Sequence, residues 1–443
     1  MNKLKQNFFI FVVFLATIFL QAHASYNVNL IGFLNDIDSV SRHTSSFIDC
    51  VRDKCDRMKL FRTKRCSAKD LKRSHEIVLN ESVDLQSSVA LRRFIRNRTP
   101  LSGVTIYTAT QWNNYNRNSW YQYIQLPNKS TIKYAYCVTE CTEIPPAFVS
   151  RFNNNFDGLI VPDTWLVDVY KKSGVTIPIF TLPLVLDLDS LLSKPIKTEP
   201  SKPFIFGFSG VFRSRKNYKL LIDAFTQEFR ANPHVKLQIH GRFAINSSKI
   251  KRFLETIHNP TIEIIQKGFN RKEYENFISS LDCYVILSKG EGFSITPREA
   301  LAAGVPCILS NNTAHQTICE TGYVAAVDST IMQPCYSPIT KNMLGYEFNC
   351  DIQDVKKALR DVYNNYQSYL ALAQQGKEWT RQYLIENLKP KYLNVVKPKK
   401  VILGDQNCIT DNYIMTNSHI LFNKYKTLLG NSTNTEFEDR TGL

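Results

Sequence analysis

The stretch Cys283 to Ser310, CYVILSKGEGFSITPREALAAGVPCILS, does most to limit what this chain can fold into. CYVILS is an apolar run of strand length. A turn holding Gly290 and Gly292 follows it. The small-residue segment ALAAG then reads as a helix stopped by Gly304, and Val305 to Leu309 as a second strand. Upstream the same alternation runs back to Phe204: a strand over Phe204 to Ser209, a helix over Asn217 to Phe229, VKLQIHG, a helix from Ser247, TIEIIQ and a helix from Arg271. Alternating strands and helices build a doubly wound parallel sheet, so the fold class is α/β.

Two carboxylates bracket the turn, Glu291 in the loop and Glu299 about a turn into the helix, with seven residues between them. A glycine-containing turn at a helix N-terminus exposes free backbone N–H groups, which suits an anion such as a diphosphate. Pro297 fits the first helical turn, where its missing N–H costs nothing. Two carboxylates near one helix N-terminus can accept hydrogen bonds from hydroxyls at two ends of one ligand. The plain alternative is a solvated loop and a first-turn Glu favoured by the helix dipole. The glycines, Phe293, Pro297 and the small-residue helix together favour a ligand site.

This arrangement resembles the E-x7-E motif of the retaining glycosyltransferases of family 4, the group 1 type, which use nucleotide-sugar donors. The resemblance implies a GT-B fold, two Rossmann-like lobes with a cleft between them. It places Glu291 on the donor sugar as a catalytic residue and Glu299 on the ribose. Gly292, Phe293, Ser294, Ile295 and Thr296 would line sugar and phosphate. Such a mechanism requires no metal and no cofactor beyond the donor.

At 443 residues two domains are the default. Net charge is +16, which favours anionic partners such as nucleotide sugars, lipid phosphates or a membrane surface. No long Lys/Arg block with interleaved aromatics is present, so nucleic acid is the weaker choice of partner and none is expected; a basic extracellular protein binding nucleic acid or lipid would need only the charge and gains nothing from the motif. Residues 1–24 combine Lys3 and Lys5, an apolar run from Phe8 to Leu20 and Ala22-His23-Ala24. This is the pattern of a cleaved signal peptide, with a short membrane anchor as the alternative, and it implies the secretory pathway. The 11 cysteines suit an oxidising compartment. Cys50, Cys55 and Cys66 form one cluster and Cys319, Cys335 and Cys350 another, and either could contain a disulfide. Neither has zinc-ligand spacing.

The N-terminal lobe is expected over 25–192. Tyr26 to Leu34 reads as a first strand and Ser41 to Asp56 as a helix with Phe47, Ile48 and Val51 inward. Lys59 to Ser74 reads as a basic surface connection, and Glu76 to Leu79 and Val104 to Thr108 as short strands. Trp112 to Tyr123 is an aromatic, Asn-rich loop, suited to an acceptor or to the surface. Ile132 to Val138 is a strand, followed by TECTEIPPAFVSRF. That segment resembles one in the mannosyltransferase-containing branch of the same family, with Glu140 at the Glu position and Pro145 at the Pro. Glu140 at a strand's C-terminal end either positions the acceptor or caps the next helix. Pro178 to Leu184 is the last strand of this lobe.

Residues 193–203, SKPIKTEPSKP, are the expected linker. The nucleotide-sugar lobe with its closing helix then spans 204–396, and 397–443 is a tail without clear signals. The turn FRSRKN carries Arg213, Arg215 and Lys216. In the family an Arg and a Lys here clamp the donor diphosphate. Lys216 aligns cleanly and is the catalytic candidate, while Val211 stands at the usual Arg place, so Arg213 or Arg215 would substitute. His240, at the end of VKLQIHG, reads as a satisfied strand-end histidine, and Gln266 to Phe269 as the base-binding edge. Lys377 to Leu388 resembles the helix that crosses back to the first lobe.

The expectation is therefore a retaining hexosyltransferase that moves a sugar from a nucleotide sugar to a glycan, lipid-linked or protein acceptor. The alternative is a degenerate relative that binds sugar or nucleotide without turnover.

Overall fold

The computed structural model describes residues 26–32, 41–62, 82–84, 103–108, 132–230, 232–243, 248–336 and 343–397. The N-terminal segment 1–24, the strand expected over Glu76 to Leu79, the aromatic loop Trp112 to Tyr123 and residues 398–443 lie outside the described residues.

The first sheet contains β1 (Tyr26–Gly32), β2 (Cys55–Arg62), β3 (Ser82–Asp84), β4 (Val104–Thr108), β5 (Ile132–Tyr136), β6 (Gly158–Val161) and β7 (Ile179–Thr181). All pairings are parallel, in the order β3-β2-β1-β4-β5-β6-β7. Its helices are α1 (Ser41–Val51), α2 (Pro146–Asn155) and α3 (Trp165–Lys172); the short α4 (Asp189–Leu192) comes after β7 and is hydrogen-bonded to the second lobe, Ser190 donating to Glu275 at 2.6 Å. The second sheet contains β8 (Phe204–Phe212), β9 (Val235–Phe243), β10 (Ile262–Ile265), β11 (Cys283–Ile286), β12 (Cys307–Asn311) and β13 (Ala325–Asp328). It is also wholly parallel, in the order β10-β9-β8-β11-β12-β13. Its helices are α5 (Tyr218–Phe229), α6 (Ser248–Glu255), α7 (Arg271–Ser280), α8 (Ile295–Ala302) and α9 (Thr313–Cys319). An antiparallel hairpin, β14 (Ile331–Tyr336) and β15 (Met343–Asn349), follows. The described chain ends with α10 (Ile352–Asn364), α11 (Tyr366–Thr380) and α12 (Ile385–Val396).

The reason for parallel pairing is visible in burial. β4, β6 and β11 are buried along their whole length, as strands covered by helices on both faces must be. In both sheets the chain starts at a central strand, winds outward, then returns to the other side. That leaves a crevice between β1 and β4 and between β8 and β11, outside the carboxyl ends of the strands.

Three local expectations are corrected. The helix after β1 ends at Val51, and Cys55–Arg62 is a paired strand rather than the start of a surface connection. Met58 and Leu60 are buried on one face of that strand, while Arg57 is exposed on the other. The closing helix does not run through Lys377 to Leu388: α11 stops at Thr380, a 3-10 turn spans Arg381–Tyr383, and α12 begins at Ile385. It is α12 that returns to the first sheet. Tyr392 sits edge-on to Phe47 at 4.8 Å and its hydroxyl donates to the Pro183 carbonyl at 2.9 Å. Residues 193–203 lead from α4 to β8 and are tied to the second sheet, where buried Asp282 accepts from Lys197 at 2.8 Å and from the Ser201 backbone at 3.0 Å.

Candidate active site

β8 and β11 flank the crevice of the second sheet, and the residues that follow each of them meet. After β8 a 3-10 turn, Ser214–Lys216, carries Arg215 and Lys216. After β11 the loop carries Glu291. Lys216 Nζ lies 2.5 Å from Glu291 Oε1, and Arg215 Nη1 lies 3.0 Å from the same oxygen. Arg215 also donates to the Gly290 carbonyl, and its Nη2 lies 2.8 Å from Glu140 Oε1. Glu140 comes from the loop after β5 in the other lobe. Two cations and two carboxylates, drawn from both lobes, thus form one cluster.

Close backbone approach makes this possible. A Cβ on Gly290 would lie 2.0 Å from the Glu140 carbonyl oxygen, and one on Gly292 would lie 2.0 Å from a Val138 methyl. Only glycine lets the Val138–Glu140 turn rest on the loop. Glu140 does not cap α2, whose N-cap Pro145 has no side-chain hydrogen bond.

Charge in the cluster is mutually supported. Burial acts to raise the Glu291 carboxyl, but Arg215 and Lys216 outweigh it and hold it well below the usual carboxylate range. Burial lowers the Lys216 ammonium, with Arg215 adding to the effect and Glu291 opposing it. Burial also raises Glu140, partly offset by Arg215. The Glu140 side chain is 20% exposed against 7% for Glu291, so Glu140 is the carboxylate that solvent in the cleft reaches more readily.

At the far end of the motif, Glu299 lies on α8. Arg271 Nη1 is 3.0 Å from Glu299 Oε1, Tyr274 donates to Glu299 Oε2 at 2.7 Å, and Arg42 of α1 stands 3.7 Å away. Arg271 and Tyr274 belong to the first turn of α7, which a capping box between Asn270 and Glu273 begins. Phe293 and Ser294 are buried, while Ile295 and Thr296 are half-buried. Ser294 adopts a left-handed backbone at φ 60°, as does Thr313 at φ 45°, and Thr313 Oγ1 accepts from the Glu291 N–H at 2.8 Å. Strained backbone of this kind concentrates at functional sites. Arg213 stands apart: it is exposed and extended, and among the described residues it makes no ion pair. His240 is satisfied on both nitrogens, by Ser209 Oγ at 2.9 Å and the Lys267 carbonyl at 3.0 Å, and it stacks on Phe269.

Several supporting residues carry no local signal in the sequence. Arg298, inside the motif, is fully buried and pairs with Asp163 of the first lobe at 3.1 Å. It donates to the Phe293 and Ser294 carbonyls and lies over the Phe293 ring at 4.0 Å. Thr317 donates to Asp163 at 2.6 Å. His315 bridges Ser294 Oγ at 2.7 Å and Ser310 Oγ at 3.0 Å, and burial pushes it down to about 4. A fully buried Arg in a helix of small residues demands a counter-charge. That burial is seen only in the structure, and nothing along the chain names the partner. The cysteine clusters also need correction. Among the described residues the disulfide joins Cys141 to Cys335, while Cys50, Cys55, Cys319 and Cys350 are free; Cys66 lies outside the described residues. Proximity here is set by the two lobes meeting, not by spacing along the chain. Among the described residues no three His, Cys, Asp or Glu side chains form a group able to hold a metal ion, and no helix is long and apolar enough to cross a membrane.

Residues 190–379 match the family model described as Glycosyl transferases group 1, so the chain carries a domain of that kind. Its fold is similar to that of the Anabaena protein HepE, solved in complex with UDP and glucose. The TM-score is 0.63 at 11% identity, covering 84% of this chain and 99% of that one. It is similar also to sucrose-phosphate synthase from Thermosynechococcus elongatus, with TM-score 0.60 at 13% identity, covering 84% of this chain and 98% of that one. A curated protein of Sulfolobus islandicus rod-shaped virus 1, named uncharacterized protein 356, is 19% identical over 279 residues, 59% of this chain and 74% of the viral one. The architecture is the GT-B fold: α/β, with two Rossmann-like parallel-sheet domains.

Proposed function

We propose that the chain is a retaining glycosyltransferase of the family 4 type, moving a sugar from a nucleotide sugar to a glycan, lipid-linked or protein acceptor. One observation carries this: Arg215 and Lys216 converge on Glu291 at the head of α8, while Arg271 and Tyr274 hold Glu299 within the same helix. A donor lying along that helix meets cations at its diphosphate and a carboxylate at its ribose. In the reaction the bond between the anomeric carbon and the diphosphate oxygen breaks, and the acceptor oxygen bonds to that carbon on the same face. The acceptor proton passes to the departing diphosphate. Lys216 and Arg215 offset the charge that develops there. Glu291 orients the sugar, and Glu140, reached from the cleft, positions the acceptor hydroxyl.

The neighbour solved with UDP and glucose makes a UDP-sugar the first donor to try. The likeness of the Glu140 segment to the mannosyltransferase-containing branch makes a GDP-sugar the second. Residues 1–24 favour action in a secretory lumen, with anchoring at the membrane as the variant of that reading. The test is a thermal-shift screen of UDP, GDP, ADP and their sugars, since a ligand stabilises by mass action. A selective rise is expected, followed by transfer in which the product keeps the donor's anomeric configuration. Inversion would overturn retention. Binding without turnover on glycan, lipid-linked and peptide acceptors would replace the enzyme with a sugar-nucleotide-binding protein.

A further inference from the structure

The hairpin β14–β15 belongs to neither sheet, yet it reaches three segments of the candidate site. On the first lobe, the Tyr346 N–H donates to Thr142 Oγ1 at 2.8 Å and the Thr142 N–H donates to the Tyr346 carbonyl at 3.2 Å. The approach is tight: Gly345 has φ +83°, and a Cβ there would lie 2.5 Å from Thr142 Oγ1 and 3.0 Å from the Glu143 Cβ. On the second lobe, the Phe348 N–H donates to the Lys289 carbonyl at 2.8 Å, and Lys289 pairs with Glu347 at 3.3 Å. At the base of the hairpin, Asn217 donates to Asn349 at 2.7 Å. The hairpin thus holds the turn after Glu140, the residue before the Gly290–Glu291 loop and the residue after Lys216. Beyond the backbone itself, it is bonded covalently through Cys335 to Cys141, the residue next to Glu140.

We propose that the Cys141–Cys335 cross-link is a positioning device that fastens the hairpin to the Glu140 turn and keeps the Glu140 carboxylate on Arg215 over Glu291. It rests on the transferase reading for its kinetic consequence only. When a dithiol reduces the bond, one thiolate attacks a sulfur and displaces the other cysteine. The reagent's second thiol then closes the reagent's own disulfide, so two electrons and two protons pass from the reagent to the protein, which ends with the thiols of Cys141 and Cys335. The Glu140 turn is then held by the two Thr142–Tyr346 hydrogen bonds and by Arg215. Among the described residues no other disulfide is present, so reduction there changes one bond. Burial pushes the Cys50 and Cys55 thiols up to about 12 and the Cys350 thiol up to about 11, so these three are poor nucleophiles at neutral pH.

The test uses the full chain, wild type and Cys335→Ser, with and without dithiothreitol. Non-reducing peptide mapping should recover Cys141 joined to Cys335. Reduction should raise hydrogen exchange across residues 138–146 and 343–349 while leaving β8, β11 and β12 unchanged. In the transfer assay kcat should fall about tenfold or more, since a displaced group of this kind costs that much. Donor KM should stay within about twofold, which marks lost positioning rather than lost donor binding. Oxidised glutathione should restore the wild type and not Cys335→Ser, which should behave as reduced protein throughout. If that variant does not fold, reduction of the wild type supplies the same comparison. Free thiols at both positions, unchanged exchange on reduction, or loosening spread evenly over both sheets would each overturn the proposal. A chain that transfers no sugar in either state would sink the transferase reading instead, while exchange would still decide the cross-link.

Discussion

Removing the side chains of the FRSRKN turn one at a time should give unequal results, and the inequality follows from geometry. Lys216 and Arg215 both lie within 3.0 Å of Glu291, and Arg215 also reaches Glu140 at 2.8 Å. Arg213 is exposed, on extended backbone two residues earlier. A charge-assisted hydrogen bond to a bound diphosphate is worth about 1.5–3 kcal/mol, or roughly ten- to a hundred-fold in affinity. Lys216→Ala and Arg215→Ala should each weaken UDP by about that factor and leave uridine nearly unchanged. Arg213→Ala should shift UDP binding by no more than about 0.5 kcal/mol, the usual scale for a surface change. Titration calorimetry with UDP and uridine at two ionic strengths measures all three. Small, equal losses that vanish at higher salt would mean a solvated basic turn, and the diphosphate role would have to be abandoned.

Glu299→Ala should weaken UDP and uridine alike, because the carboxylate is assigned to the ribose; a loss confined to UDP in equilibrium titration would contradict that assignment. Asp163→Ala or Arg298→Met alone should cost about 3–5 kcal/mol in denaturant unfolding, because each leaves a buried charge unpaired. The double replacement should cost far less than the sum, and strict additivity would disprove the pairing. His315 is held at about 4 in the folded chain against an ordinary value of 6.5, so the unfolded chain takes the proton first. Its contribution is complete above pH 6.5 and is lost as pH falls towards 4, about 3 kcal/mol in all. His43, pushed down to about 3 by burial, acts in the same direction, so the readout is the difference between wild type and His315→Gln in urea midpoints from pH 7 to 4. Parallel curves would count against the assignment.

The parallel sheets were legible because their strands bury both faces and so leave apolar runs, as in CYVILS and GLIV. The helix α10 carries the corresponding helical mark: Val355, Leu359 and Val362 recur at helical spacing, and all three are buried. The strand Cys55–Arg62 was hidden for the opposite reason. It buries Met58 and Leu60 on one side and carries Arg57 and Lys59 on the other. Charge on the open face masks a two-residue period. The break between α11 and α12 left no Gly or Pro at Arg381–Tyr383 to announce it. It falls where the chain leaves one lobe for the other and the Tyr383 carbonyl accepts from the Leu186 N–H at 2.9 Å.

The candidate site divides along the same line. Glu291, Glu299 and Lys216 were legible because each sits at a fixed offset from a strand end, and a strand end at a crevice is a local property. Which basic side chain joins Lys216 was not, because Arg213 and Arg215 are the same residue type two positions apart and only the 3-10 turn that begins after Arg213 decides which of them faces Glu291. The selection is made by a carboxylate of the other lobe, Glu140, far away in sequence. Asp163 with Arg298 and Cys141 with Cys335 are chosen in the same way. Each pair joins a loop after a strand of the first sheet to an element beside the crevice of the second. Pattern within a segment determines what a lobe is. Pairing between lobes determines where the cleft-facing groups of one stand over the other, so Glu140 meets Arg215 only when both lobes are folded together.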